Sequence, residues 1–453
     1  SGSPYSLVNG AKTISDVVYS AAKTSETLTA TNTGASLANS NVAVSGTFNI
    51  VDFGAVNGAF LSSVFGGSYT AAGTWCRCNN VAGCTGQVPG AGGWGALGAN
   101  GTPGTSQIAY IQGTVILGNG STSINDLHIL SGGSFSVSGT GTFTINNYLK
   151  VYTNGDLYTG KNFVVASGKP FIAEDGADIV LDFQFASLAS SIWKGVENFA
   201  PNSNLIVYDW DPNVPLASAA DNTASTGPGG YQAFFGNVYI DFASSIAGTT
   251  PAPNWDGILG TGTYNLVHNN VEFVSARGNA NFKLSQNTTS TVEIGGNLIL
   301  SGGIGSSRAV LMATGSSTLN LTVKGNLVMD CAGDFSVAAS NGAAGVITLT
   351  VKGNIDLSGS NSGATTNFSL NQNSYTTTLG FIKSKVNLEG NLTTGPNATL
   401  VNAGFLGDVQ FNFTGTNTQL VDAGTTICPS PTSYKGIPFV INSGAKVQLA
   451  NNN

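Results

Sequence analysis

The chain has 453 residues, of which 9% are charged and 61 are glycine. Lys and Arg total 16 against 23 Asp and Glu, and the basic residues are scattered, which argues against a nucleic-acid partner. The apolar fraction of 41% is divided among short segments, which excludes both an unfolded chain and a membrane-spanning helix. A surface of hydroxyl and amide side chains favours stacked strands over long helices.

Residues 1–67 are rich in Ser, Thr and Ala, and an apolar residue or a threonine tends to occupy every second position. This period is typical of half-buried β-strands. A stack of strands needs a cover at its first edge, because a bare edge is a template for aggregation. We therefore expect an N-terminal β segment that either caps the stack or docks on a neighbouring subunit by adding a strand.

Residues 68–105 form a Gly-rich stretch without a sustained period, which predicts a long surface loop pinned by Cys76, Cys78 and Cys84. We expect a disulfide between Cys84 and either Cys76 or Cys78, formed in an oxidising compartment. A zinc site is the alternative. However, the spacing C-x-C-x₅-C matches no standard structural zinc pattern and no histidine is near, so we expect no metal here.

Two tryptophans, Trp75 and Trp94, lie in the same Gly-rich stretch and have two interpretations. Long loops often carry functional residues, so both rings could be exposed contact residues. The alternative is that the rings fold back and cover an apolar patch, and we favour this second interpretation.

The next two regions differ in their rhythm. Residues 106–200 contain short apolar segments punctuated by Gly, Asn or Asp at intervals of roughly 8–12 residues, which predicts the first coils of a stack of strands. Within them, apolar residues spaced by three and four over Phe185–Phe199 predict one short helix. Residues 201–262 are rich in proline and predict a lateral excursion from the stack.

Residues 263–453 carry the strongest signal. Four times in this region, a short apolar strand leads into the dipeptide Gly-Asn and further apolar residues follow. The four glycines stand 29, 28 and 37 residues apart, which indicates one structural unit stacked on the next. We expect the glycine to supply an unusual φ at a corner, and the asparagines to align as a structural ladder of buried amides. The pairs are Gly296 with Asn297, Gly325 with Asn326, Gly353 with Asn354, and Gly390 with Asn391.

Candidate catalytic residues are few. A polysaccharide lyase or hydrolase would need paired carboxylates across a groove, and the acidic clusters are Glu174, Asp175 and Asp178, and Asp209 with Asp211. No Arg or His is near either cluster, and turns commonly place Asp before Gly or Pro. The two histidines, His128 and His268, lie on predicted strands, and no nucleophile elbow accompanies them.

The units LTVKGNLVMD and LTVKGNIDLSG, followed by FNFTGTNTQLVDAG and FVINSGAKVQLANN, resemble repeat regions of large secreted Bacteroidetes surface proteins. Such proteins are commonly exported by the type IX secretion system and include adhesin-like polypeptides. The resemblance covers mainly residues 290–452. It implies an extracellular location and a structural or adhesive role.

These observations predict an all-β chain, a β-solenoid or parallel β-helix with Gly- and Pro-rich loop insertions and an N-terminal cap or docking segment. We expect a non-enzymatic extracellular structural protein, either a surface adhesin or a filament subunit, with a polysaccharide-acting β-helix enzyme as the alternative. The expected partners are copies of the same chain, joined head to tail, or a glycan at a cell surface. We expect no cofactor, although calcium bound by Asp and Asn in turns stays open as a structural stabiliser.

Overall fold

A computed structural model shows an all-β chain. Its described residues contain one 3₁₀ turn, Ala72–Thr74, and no α-helix. Four short strands precede residue 51, and the remaining described ranges are 54–138, 141–159, 163–166, 169–181, 196–208, 232–242, 263–276, 282–286, 289–301, 309–314, 318–330, 333–338, 346–357, 366–371, 384–402, 409–423 and 436–450.

The strands of the first half are short, and most of them begin after a Gly, Asn or Asp turn. In chain order they are β1 (Lys23–Glu26), β2 (Thr29–Ala30), β3 (Ala43–Val44), β4 (Phe48–Ile50), β5 (Gly54–Ala55), β6 (Phe60–Ser62), β7 (Gly67–Ser68), β8 (Trp75–Arg77), β9 (Cys84–Thr85), β10 (Ile108–Ile111), β11 (Thr114–Leu117), β12 (Thr122–Ile129), β13 (Ser134–Val137), β14 (Phe143–Val151), β15 (Asp156–Thr159), β16 (Phe163–Val165), β17 (Pro170–Ala173), β18 (Asp178–Leu181), β19 (Val196–Phe199) and β20 (Asn204–Val207).

The second half continues in the same manner. Its strands are β21 (Gln232–Phe235), β22 (Asn237–Phe242), β23 (Thr263–Val267), β24 (Val271–Ala276), β25 (Phe282–Gln286), β26 (Thr289–Ile294), β27 (Leu298–Leu300), β28 (Ala309–Thr314), β29 (Thr318–Val323), β30 (Leu327–Met329), β31 (Gly333–Ala338), β32 (Ile347–Val351), β33 (Ile355–Leu357), β34 (Thr366–Asn371), β35 (Ser384–Leu388), β36 (Leu392–Thr394), β37 (Ala398–Asn402), β38 (Val409–Phe413), β39 (Thr418–Ala423), β40 (Phe439–Ile441) and β41 (Lys446–Leu449).

Four long sheets organise these strands. Sheet A has 14 strands in the order β41-β39-β36-β33-β30-β27-β24-β22-β20-β18-β15-β13-β11-β7. Sheet B has eight, in the order β19-β17-β14-β12-β10-β6-β8 with β16 beside β14. Sheet C has eight, β21-β23-β26-β29-β32-β35-β38-β40, and sheet D has five, β25-β28-β31-β34-β37.

The strands pair in parallel because the chain adds one strand to each sheet in turn and then returns to the first sheet. We call one such circuit a pass. In one pass it runs through β29 in sheet C, β30 in sheet A and β31 in sheet D, and then returns to sheet C with β32. Strands of neighbouring passes pair in register, as in Leu298 with Leu327 and Leu327 with Ile355. These long parallel sheets are consistent with the predicted solenoid-like fold.

Alternating side chains fill a single core. The apolar residues of each strand alternate with polar ones, so every second side chain faces inward. The inward residues Leu298, Leu327, Ile355 and Leu392 are at most 1% exposed. One contiguous buried cluster extends from Phe60 to Val421. Each fully buried side chain of this size contributes roughly 1.5–3 kcal/mol, so the stack is stabilised throughout its length.

The described residues cover parts of two predicted elements. The helix expected over Phe185–Phe199 is wrong at its C-terminal end, because Val196–Phe199 is strand β19, which pairs in parallel with β17. The rest of that prediction lies outside the described residues. In the Pro-rich region, β20 and β22 continue sheet A in register, and the loops between and after them lie outside the described residues.

Candidate interaction surfaces

Residues 54–105 close the N-terminal edge of the sheets, where a surface loop was expected. Strand β8 pairs antiparallel with β6 at the end of sheet B. Trp75 has no exposed surface, and its ring lies 6.5 Å from that of Phe60 and 5.2 Å from that of Tyr69. Its Nε1 donates to the carbonyl of Tyr69 at 2.7 Å. Trp75 therefore covers the first layer of the core, which agrees with the favoured interpretation, and the alternative that it is an exposed contact residue is wrong.

A disulfide joins Cys78 and Cys84, which is one of the two predicted pairings and removes two of the three thiols that a zinc site would need. Cys76 is a buried free cysteine whose Sγ donates to the carbonyl of Leu61 at 3.4 Å. Burial raises the pKa of this thiol to about 11, so it stays protonated and unreactive near neutral pH.

Trp94 is buried as well, at 4% exposed, and its Nε1 donates to the carbonyl of Gly86 at 2.9 Å. It belongs to a second apolar cluster that contains the disulfide together with Leu61 and Tyr110. The favoured interpretation thus holds for Trp94 as well, and the alternative that it is an exposed contact residue is wrong. Both tryptophans fold back on apolar surface because large aromatic rings contribute most to stability when they are buried.

The asparagines of the four Gly-Asn pairs align along sheet A. The Oδ1 atom of each accepts the backbone N–H of the next asparagine, from Asn326 to Asn297 at 2.8 Å, from Asn354 to Asn326 at 2.7 Å, and from Asn391 to Asn354 at 2.8 Å. The side chains are half-buried or exposed. The ladder therefore lies at the surface of the stack and binds backbone donors, whereas buried amides were expected.

The ladder is longer than the repeats suggested. Asn297 donates its backbone N–H to Oδ1 of Asn270 at 2.8 Å, and Asn270 donates to Oδ1 of Asn237 at 3.3 Å. At its other end, Oδ1 of Asn391 accepts the N–H of Leu420 at 2.8 Å. Sequence reasoning missed Asn270 because no glycine precedes it, and it missed the pair of Gly236 with Asn237 because this pair lies in the Pro-rich region that was predicted to leave the stack.

The glycine of each pair is required for a reason other than the expected one. None of the four has a positive φ. Each donates its backbone N–H to the previous pass instead, as Gly325 does to the carbonyl of Gly296 at 2.8 Å. A Cβ on Gly325 would lie 2.7 Å from that oxygen, and one on Gly353 would lie 2.6 Å from the carbonyl oxygen of Gly325. At these four glycines, the backbones of neighbouring passes lie too close together for a side chain to fit.

An aromatic cluster covers the outer face of sheet B. The ring of His128 stacks on Tyr110 at 4.7 Å, and its Nδ1 lies 3.3 Å from the hydroxyl of Tyr152. Burial, reinforced by the charge of Lys150, lowers the pKa of His128 to about 4. Lys150 lies 4.2 Å above the ring of Tyr152. The imidazole is therefore neutral near neutral pH and is enclosed by other side chains.

The predicted acidic residues form structural contacts. Glu174 pairs with Lys150 at 2.6 Å, Asp175 accepts the N–H of Asn202 at 2.9 Å, and Asp178 accepts Nδ2 of Asn204 at 2.7 Å. These three carboxylates thus bind separate partners on neighbouring strands. Asp209 and Asp211 lie outside the described residues.

The C-terminal end of the described stack is open. Strands β40 and β41 are the last strands of sheets C and A. Their residues Phe439, Ile441 and Leu449 are 39%, 57% and 63% exposed, although they align with the inward columns of Phe411, Phe413 and Val421. We call β40 and β41 the terminal rung. It exposes core-type side chains, and no further described strand pairs with it.

Searches for other features and for relatives add little. Within the described ranges, no helix could cross a bilayer, and no group of three or more His, Cys, Asp or Glu side chains could hold a metal ion. Comparisons with models of protein families, with curated proteins and with solved structures find no match to this chain.

Proposed function

We propose that this chain is a β-solenoid that serves as a non-enzymatic structural protein outside the cell, as the subunit of a filament or adhesin-like surface structure. A stack of parallel strands with one continuous core is a stiff scaffold, because every pass is bonded to its two neighbours. A disulfide fits an oxidising compartment. The resemblance of residues 290–452 to secreted surface proteins supports the same location.

The difference between the two ends carries this proposal. The N-terminal edge is closed by an antiparallel strand and a buried tryptophan, whereas the terminal rung leaves Ile441 and Leu449 more than half exposed. Burial of such apolar area contributes roughly 25 cal/mol per Å². When one end of a molecule binds a different part of the next molecule, every added molecule offers the same free end again. Such a contact produces a filament unless it closes a ring.

The occupant of the terminal rung is residues 1–53 of a second copy. Among the described residues, β1 pairs with β4 and β2 pairs with β3, and neither pair is part of sheets A to D. A strand from this segment would extend sheets C and A through backbone hydrogen bonds and cover the exposed apolar side chains. Direct head-to-tail stacking of the terminal rung on the sheets of the next molecule is disfavoured by the closed N-terminal edge.

Electron microscopy and light scattering of the full-length protein at high concentration test the proposal. We expect fibres or long oligomers, and we expect the double variant Ile441→Asp, Leu449→Asp to remain monomeric, since a charge cannot be buried without a partner. Val346→Asp is the matched control, because Val346 is 43% exposed directly before β32, three strands from the terminal rung in sheet C. Short monodisperse rods of the wild-type protein would exclude assembly.

A further inference from the structure

The outer face of sheet A carries an aromatic patch near its middle. Tyr158 on β15 and Tyr208, directly after β20, are 40% and 37% exposed. Tyr158 pairs in register with Val180, which pairs with Ile206, which pairs with Tyr239. Val180 is 2% exposed, so it forms a buried floor between the tyrosines. We call these five residues the tyrosine face.

A row of carboxylates and amides borders the tyrosine face, two residues away along each strand. Asp156, Asp178, Asn204 and Asn237 are aligned by the strand register, about 4.8 Å apart. Nδ2 of Asn237 donates to Oδ1 of Asn204 at 3.1 Å, and Nδ2 of Asn204 donates to Asp178 at 2.7 Å. The chain of side-chain hydrogen bonds thus runs toward Asp178 and ends beside Asp156.

Asp156 is left without a donor. No described residue donates a hydrogen bond to its carboxylate or forms an ion pair with it, although the side chain is half-buried. Burial, followed by the charge of Asp178, raises the pKa of Asp156 above its ordinary value. Because Asp156 accepts no hydrogen bond from the described residues, a hydroxyl group of a ligand can donate to its carboxylate.

A third carboxylate, Glu272, lies on the far side of the tyrosine face. Glu272 pairs in register with Tyr239 and accepts the hydroxyl of Ser301. Glu272 therefore lies beside Tyr239 on the neighbouring strand, and burial, followed by the charges of Glu272 and Asp178, raises the pKa of Tyr239. Aromatic rings are therefore bounded on two sides by negatively charged hydrogen-bond acceptors.

We propose that the tyrosine face binds a neutral glycan. A hexose ring has a flat face of C–H groups, which packs on the negative face of an aromatic ring, and an edge of hydroxyl groups, which donate to carboxylates. Asp156, Asp178 and Glu272 repel sugars that carry carboxylates, and they equally repel nucleic acids. This inference does not depend on assembly, because the face lies away from the terminal rung.

Affinity electrophoresis of the full-length protein tests the inference with a fixed panel of soluble polysaccharides: dextran, laminarin, galactomannan and xyloglucan as neutral probes, and alginate as the anionic one. We expect at least one neutral probe to retard the protein and alginate to leave its mobility unchanged. Tyr158→Ala and Tyr208→Ala should each weaken retardation about tenfold, which corresponds to the loss of one ring contact. Asp156→Asn should weaken it as well while preserving the shape of the side chain.

The matched control is Tyr148→Ala, which removes a tyrosine from the outer face of sheet B, and near-UV circular dichroism confirms that each variant is folded. Retardation that is lost equally in Tyr148→Ala would contradict the assignment of the site. The inference is also contradicted if no neutral polysaccharide retards the wild-type protein, or if alginate retards it as strongly as the neutral polysaccharides do. Because the Ile441→Asp, Leu449→Asp variant should still bind, failure of glycan binding and failure of assembly are distinguishable.

Discussion

At the scale of single residues, the distance between neighbouring passes determines which side chains the corner at each Gly-Asn step allows. Gly325 is confined between the carbonyl of Gly296 and Oδ1 of Asn297, and its own carbonyl accepts the N–H of Gly353. The hydrogen bond and the steric limit both result from the short distance between the backbones of the two passes. A side chain at this position must separate two passes that are bonded to each other.

We expect Gly325→Ala to lower the free energy of unfolding by about 1–3 kcal/mol, because the added Cβ would lie 2.7 Å from the carbonyl oxygen of Gly296. The midpoint of urea unfolding, followed by far-UV circular dichroism, measures the effect. Gly118→Ala is the matched control, since a Cβ at Gly118 has no heavy atom within 4 Å. Equal midpoints for the two variants would show that close approach is not the reason for glycine.

Individual residues also show what the sequence can and cannot predict. The Gly-Asn spacing predicts stacked strands, because a strictly local signal recurs once per pass. The burial of Trp75 is harder to predict from the sequence, since it depends on which layer of the core would otherwise be exposed at the N-terminal edge. The cluster of Tyr110, His128 and Tyr152 joins residues 18 and 24 positions apart, and only the register of β10, β12 and β14 brings them together. The sequence signal that could have indicated this cluster is an aromatic residue that recurs at intervals of about one pass.

At the scale of elements, the outer face of β12 and β14 contributes a pH-dependent stability. Around His128 lie the side chains of Tyr110, Tyr148, Tyr152, Asp126, Lys150 and Glu174. The pKa of His128 falls from 6.5 to about 4 in the folded chain, so the unfolded chain binds the proton more tightly. Its contribution is fully present above pH 6.5 or so and is lost as the pH falls toward about 4.

We expect acidification from about pH 7 to about pH 5 to destabilise the wild-type protein by roughly 1–3 kcal/mol more than the variant His128→Gln, which carries no titrating group at this position. Thermal unfolding followed by near-UV circular dichroism reports on the tyrosines of this face. His268→Gln is the matched control, because burial lowers the pKa of His268 also, at a site outside the cluster. Parallel pH profiles for wild type and His128→Gln would refute this assignment.

At the scale of the whole molecule, the closed N-terminal edge and the open terminal rung define a direction. The core continues without interruption from Phe60 to Val421, so the stack itself does not require residues 1–53. In the part of this segment that the structure describes, β1 pairs with β4 and β2 pairs with β3. Strands that lie outside the long sheets of their own molecule can pair with the terminal rung of another molecule.

Deletion of residues 1–53 should therefore abolish assembly and leave the thermal midpoint of the stack unchanged, because only the donor strand is removed. The deletion variant keeps an open terminal rung, and the Ile441→Asp, Leu449→Asp variant keeps the donor segment. A mixture of the two should form dimers, since one donor meets one acceptor, and it should form no fibres. Size-exclusion chromatography with light scattering separates these outcomes. If the mixture stays monomeric while the wild-type protein forms fibres, the contact is made by other surfaces, and residues 1–53 have only a local role.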